Sequence, residues 1–161
     1  MGPQNSRKTS VARIRAARAA VAALMCLPAV VCFAGPADAA TTVKISRVYY
    51  NSPGTDDRTN ANINMEYVNV QNISTKTQVV TGWTVRDVVG HVYTFPTTSI
   101  PAGQTVTVHT GKGVNSGNQR FWQSGAYIWN NDTDTAYLRN SAGATIFTCS
   151  YNSTAVAYKN C

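Results

Sequence analysis

At 161 residues the chain suits one domain rather than two. Its 14 Lys/Arg against seven Asp/Glu give a formal charge of +7, but five of those bases (Arg7, Lys8, Arg13, Arg15, Arg18) sit at the N-terminus. The charge total therefore does not argue for a nucleic-acid binder, which wants clustered cations on one face.

The basic start runs into an apolar stretch from Ala19 to Phe33, "AAVAALMCLPAVVCF", followed by "AGPADAA". In the latter, Ala37, Asp38 and Ala39 form an A-x-A cleavage pattern, so residues 1–39 read as a secretory signal peptide removed on export. Fifteen apolar residues interrupted by Pro28 fall short of the roughly 20 that span a bilayer. Met25 and Val31 precede Cys26 and Cys32 where lipoprotein processing wants a small residue, which argues against a lipid anchor. The mature domain, 40–161, then keeps nine basic and six acidic groups, a net charge of +3. Those nine bases never form a run. The expected location is extracellular.

The mature chain shows short β-rich runs between turn residues and no sustained helical period. "TVKISRVYYN" ends at "SPGTDD", and 55–62 reads as an exposed loop. "INMEYVNVQN" alternates Val68 and Val70 with polar partners, then 72–78 is a second loop. "TQVVTGWTVRD" and "HVYTFP" flank Val88, Val89 and Gly90, the signature of a hairpin. "SIPAG" reads as a turn before "QTVTVHT", with Pro101 fixing φ and Gly103 taking a positive value. "FWQSGAYIW", "TDTAYLRN" and "GATIFTCSY" follow, with Gly143 placed for positive φ in the last hairpin. The pattern predicts an all-β, antiparallel β-sandwich of about seven to nine strands.

Cys149 and Cys161 remain after the leader is lost. In an oxidising exterior this pair reads as a disulfide that ties the C-terminal tail to the last strand. A loop of about thirteen residues corresponds to something near 3 kcal/mol in the chain-entropy model.

Several groups are candidates for chemistry. Asp87 and His91 flank the hairpin loop, but no G-x-S-x-G motif marks a nucleophile, so local hydrogen bonding is the expectation. Glu66 shares the parity of Val68 and Val70 and is expected either to carry a raised pKa or to accept hydrogen bonds from a loop. Asn130, Asp132 and Asp134 alternate like early calcium ligands, with Asp56 and Asp57 as possible additions from another loop. Thr135 replaces the needed Gly, however, and Ser141 the bidentate Glu, so turn formation is favoured. No cofactor is called for. Trp83 is expected in the core. Phe121, Trp122, Tyr127 and Trp129 cluster within nine residues; they form either a stacking surface for sugar rings or a partner's side chains, with Trp122, Tyr127 and Trp129 as its candidates, or part of the core. Trp122 and Trp129 differ in parity, and Gly125 is the candidate bulge that resets it.

Taken in order, "VKISRVYYNSPGTD", "EYVNVQNIS", "TGWTVRDVVGHVYTFP", "IPAGQTVTVHTGKG" and "WNNDTDTAYLRNSAGATI" resemble the lamin-tail domain family, over roughly 43–151. Thr133 stands where that family often has Gly, and the extension to Cys161 has no place in the pattern. The resemblance implies an immunoglobulin-like sandwich without shared catalytic residues. The resemblance also implies company: in larger bacterial proteins such domains accompany hydrolase or nuclease modules, and in nuclear lamins the domain is a partner-binding surface with affinity for chromatin. Together these readings predict a secreted, non-catalytic module for an extracellular protein or cell-envelope partner. The alternatives are a carbohydrate or cell-wall module using rim aromatics, and an accessory nucleic-acid-binding domain.

Overall fold

The computed structural model describes residues 41–161 together with Gly2. Apart from Gly2, the expected leader lies outside the described residues. Among the described residues no helix is long and apolar enough to cross a membrane.

The described residues form eleven strands and one helical turn. In chain order they are β1 (Val43–Tyr49), α1 (Asn60–Ile63), β2 (Tyr67–Asn72), β3 (Gln78–Val79) and β4 (Thr84–Arg86). Then come β5 (Val92–Thr94), β6 (Ser99–Ile100), β7 (Thr105–His109) and β8 (Gln119–Phe121). β9 (Thr133–Arg139), β10 (Thr145–Asn152) and β11 (Tyr158–Asn160) close the chain. A five-stranded sheet in the order β11-β1-β2-β7-β8 faces a four-stranded sheet in the order β10-β9-β4-β5, and β3-β6 form a small separate pair. The result is an all-β, immunoglobulin-like sandwich.

Alternation places the core. Val68 and Val70 on β2 and Val106 and Val108 on β7 turn inward, each at most 4 % exposed. They meet Val85, Ala136 and Leu138 of the other sheet, all fully buried. Such burial is worth about 1.5–3 kcal/mol for each large aliphatic side chain. On β1, Ile45 and Val48 are an odd number of positions apart yet both are buried, because the ladder slips between Ile45 and Arg47. Trp83 is partly buried against this core.

Four features depart from the sequence expectation. The number of strands exceeds nine because pieces of two or three residues also pair. Ser99 and Ile100, read as part of a turn, pair with β3, and Ile100 is fully buried. The turn itself lies at Pro101–Gly103, where Gly103 has φ 73° and Gln104 N–H donates to the Pro101 carbonyl at 3.1 Å. The loop at 55–62 ends in α1, capped by the Thr59 hydroxyl, which accepts from Asn62 N–H. This turn delays β2 to Tyr67. Finally, β8 runs parallel to β7, because the loop between them carries the chain back alongside β7.

The C-terminal extension forms β11 on the free side of β1, where Tyr49 pairs with Tyr158. Cys149 on β10 is disulfide-bonded to Cys161 across a Cα–Cα distance of 5.9 Å. The bond therefore joins the edges of the two large sheets.

Candidate functional site

Asp87 and His91 close the hairpin between β4 and β5, where Val85 pairs with Tyr93 and Arg86 with Val92. Asp87 is 1 % exposed. Its Oδ1 accepts the N–H groups of Gly90 and His91 at 2.7 and 2.8 Å. Its Oδ2 meets His91 Nδ1 at 2.5 Å. This is half of a catalytic relay, a buried carboxylate orienting an imidazole. The other half is missing among the described residues, since His91 Nδ1 with Asp87 is the ring's one hydrogen bond. The carboxylate folds the loop.

Glu66 points inward, as its parity requires, and is fully buried. Its Oε2 and Oε1 accept the N–H groups of Ile128 and Trp129 at 3.0 and 2.9 Å. Desolvation pushes its pKa up to about 7, against the pull of those amides. Both sequence expectations for Glu66 thus describe the same site: a raised pKa and a loop held by its amides.

The calcium candidates are committed to one another. Asp134, 4 % exposed, accepts Thr135 N–H at 2.7 Å through Oδ1. Its Oδ2 accepts from both the backbone N–H and Nδ2 of Asn130 at 3.3 Å. Asp132 accepts Thr133 N–H at 2.7 Å. Asp56 does reach this loop, accepting from Asn131 Nδ2 at 3.1 Å, whereas Asp57 binds Thr59. Those Thr59 contacts hold the Asp57 carboxyl below its usual range. Among the described residues no three His, Cys, Asp or Glu side chains are grouped to hold a metal ion.

The three aromatics proposed as a ligand surface do not form one. Trp129 is 2 % exposed in the core, and Trp122 packs against that core with its ring 6.0 Å from Trp129, edge to face. Tyr127 is half-buried, and its hydroxyl donates to Asn62 Oδ1 at 2.7 Å. No parity conflict arises, because no strand joins Trp122 to Trp129: the segment after β8 is irregular, with Gln123 at a φ of 70°, and Gly125 is not a bulge in a strand.

An organised surface exists elsewhere, on the outer face of the five-stranded sheet. Tyr158, Tyr49, Tyr67, His109 and Phe121 are direct cross-strand partners, one from each of β11, β1, β2, β7 and β8. Their rings form a continuous row. Tyr49 lies 6.0 Å from Tyr158 and 5.2 Å from Tyr67, with planes within 18°. His109 lies 6.0 Å from Tyr67 and 5.1 Å from Phe121. The Arg47 guanidinium sits over Tyr158 at 4.6 Å. At the other end Gly113 lies so near Phe121 that an added Cβ would come within 2.5 Å of the ring.

A polar row runs beside it: Asn160, Arg47, Asn69, Thr107 and Gln119, again one per strand and in register. Its oxygens are used internally. Arg47 Nε donates to Asn160 Oδ1 at 2.8 Å, and the Thr107 hydroxyl donates to Asn69 Oδ1 at 2.9 Å. Gln119 Oε1 lies 2.6 Å from His109 Nε2, while His109 Nδ1 lies 2.8 Å from the Asn64 carbonyl. Among the described residues no side-chain carboxylate lies on this face, and Lys44, beside Gln71, adds a second cation. The alternation of β2 and β7 signals the outward direction of their residues in these rows. Register across five strands, one of them formed by the unanticipated tail, does not show in a single sequence.

No curated protein matches the chain. The family model described as Lamin Tail Domain matches residues 36–153, which spans both large sheets up to the end of β10. The order of the strands, the immunoglobulin-like sandwich and this match agree: the chain belongs to the lamin tail domain family.

Proposed function

We propose that the chain is exported and acts outside the cell as a non-catalytic binding module. Its contact surface in this reading is the outer face of the five-stranded sheet, and its partner is a protein or a cell-envelope component. One observation carries the proposal. The buried carboxylates Glu66, Asp87 and Asp134 each accept backbone hydrogen bonds that build loops, while the five-ring row is organised and faces outward. The basic, apolar and small-residue order of 1–39 supports export. The Cys149–Cys161 bond is of the kind that persists outside the cytoplasm.

Nucleic acid is the weaker reading, because phosphate neutralisation calls for many cations and this face presents Lys44 and Arg47. The test is expression of the full chain in a secreting host. Expected are a product beginning near Ala40, oxidised at both cysteines, and its sedimentation with envelope fractions. Replacing Tyr67 by Ala should reduce that sedimentation. An unprocessed cytoplasmic product, or envelope retention indifferent to Tyr67, would contradict the reading.

A further inference from the structure

The two rows on the outer face differ in chemistry, and together they select a ligand class. We infer that this face binds an extended anionic polysaccharide, with sugar rings against the Tyr158–Tyr49–Tyr67–His109–Phe121 row and carboxylate or phosphate groups on the polar row. The inference rests on the binding-module reading above and adds the ligand to it.

Length is the first argument. Five adjacent strands set the row at roughly 19 Å, since neighbouring strands lie about 4.8 Å apart. That matches a run of several sugar units rather than one small molecule. The rings stack on one another along the row, so a sugar meets their edges and the phenol hydroxyls of Tyr158, Tyr49 and Tyr67, the polar tips of otherwise apolar groups.

Hydrogen-bond capacity is the second. Internal bonds occupy the amide oxygens of Asn160, Asn69 and Gln119. Beside the rings the terminal nitrogens of Arg47 and the Nδ2 groups of Asn69 and Asn160 remain as donors, against single remaining lone pairs on the amide oxygens already bonded. A donor stripe wants an acceptor-rich ligand, and an anion accepts most strongly.

Charge is the third. The six acids of residues 41–161 lie in loops or at strand ends, or are buried, and none is on this face; Arg47 and Lys44 are. Two cations beside five rings suit a polymer held mainly by its sugars, with an anion or two contacted, better than a nucleic acid, whose affinity comes chiefly from neutralising many phosphates. An apolar protein partner fits less well. Among the described residues, Tyr158 is the one large exposed apolar side chain that belongs to either row.

The experiment is affinity electrophoresis of the mature chain, 40–161, through gels containing polygalacturonate, a phosphate-bearing mannan, hydroxyethylcellulose or no polymer. Retardation by the first or second, and not by the neutral polymer, is expected; which of the two retards more tells carboxylate from phosphate. Tyr67→Ala should weaken binding at least about tenfold, as removal of a central contact does. Should that variant fail to fold, Tyr158→Ala on the edge strand and Arg47→Gln provide the same reading, with melting curves confirming the fold. No retardation of folded protein, equal retardation by the neutral polymer, or indifference to all three substitutions would overturn the inference. So would tighter binding to oligo(dT) than to either anionic polymer. Tyr67-dependent sedimentation with envelopes in the absence of polysaccharide binding would sink the ligand assignment alone. Loss of both would sink the binding-module reading as well.

Discussion

Glu66 and Trp129 lie 63 residues apart in the chain, and a buried 2.9 Å hydrogen bond joins the Glu66 carboxylate to the Trp129 backbone N–H. With the matching bond from Ile128 N–H, it fixes the irregular segment after β8 against the entry to β2. Trp129 is buried because this segment is held there.

Stability should consequently depend on pH through Glu66. Its folded pKa, about 7, is raised above the ordinary value of 4.5. The unfolded chain therefore loses this proton more readily. The contribution of Glu66 is complete below pH 4.5 and fades as pH rises through 7, by about 3 kcal/mol in all. Glu66→Gln does not titrate, and it turns one N–H towards another donor, at a cost of about 1–3 kcal/mol. Urea denaturation between pH 4.5 and 8 should show the wild-type advantage over Glu66→Gln shrinking as pH rises. Parallel curves would refute the assignment.

Reducing the Cys149–Cys161 bond should release β11 from β1. The twelve-residue separation corresponds to about 3 kcal/mol of lost stability. Hydrogen exchange should then rise first at Tyr158, Lys159 and Asn160, while β2 and β7 stay protected.

Asp87→Ala should destabilise the fold by about 1–3 kcal/mol, since the Gly90 and His91 amides lose a buried acceptor. His91→Ala should cost much less, because its ring is half-exposed and bonded only to Asp87. A catalytic pair would instead make both substitutions abolish a measurable activity.

Gly113→Ala should displace Phe121, because the new Cβ would come within 2.5 Å of its ring. Overpacking of this kind costs about 1–3 kcal/mol. The informative signature is local: NMR shifts should move at Phe121 and His109 and leave Tyr158 unchanged.

The sandwich was legible because valines at every second position of β2 and β7, and the glycines at 103 and 143, obey rules of single strands and single turns. The Asp87–His91 hairpin and the inward direction of Glu66 were legible for the same reason. What escaped depends on neighbours distant in sequence. Ile100 looked like turn material until β3 supplied a partner for it. Trp122 and Trp129 conflict in parity only if one strand holds both, and the irregular segment that separates them, with Gln123 at a φ of 70°, is not announced by its side chains. The aromatic row escaped most completely. Tyr158 belongs to a tail with no recognisable alternation, and β8 joins the sheet in the parallel sense.

The most direct measurement is hydroxyl-radical footprinting of residues 40–161, free and bound to envelope material. The account predicts protection of Tyr49, Tyr67, Phe121 and Tyr158, with Val88, Val89 and His91 as reactive as in the free protein. Protection centred on the loop around His91, with the aromatic row still reactive, would contradict it.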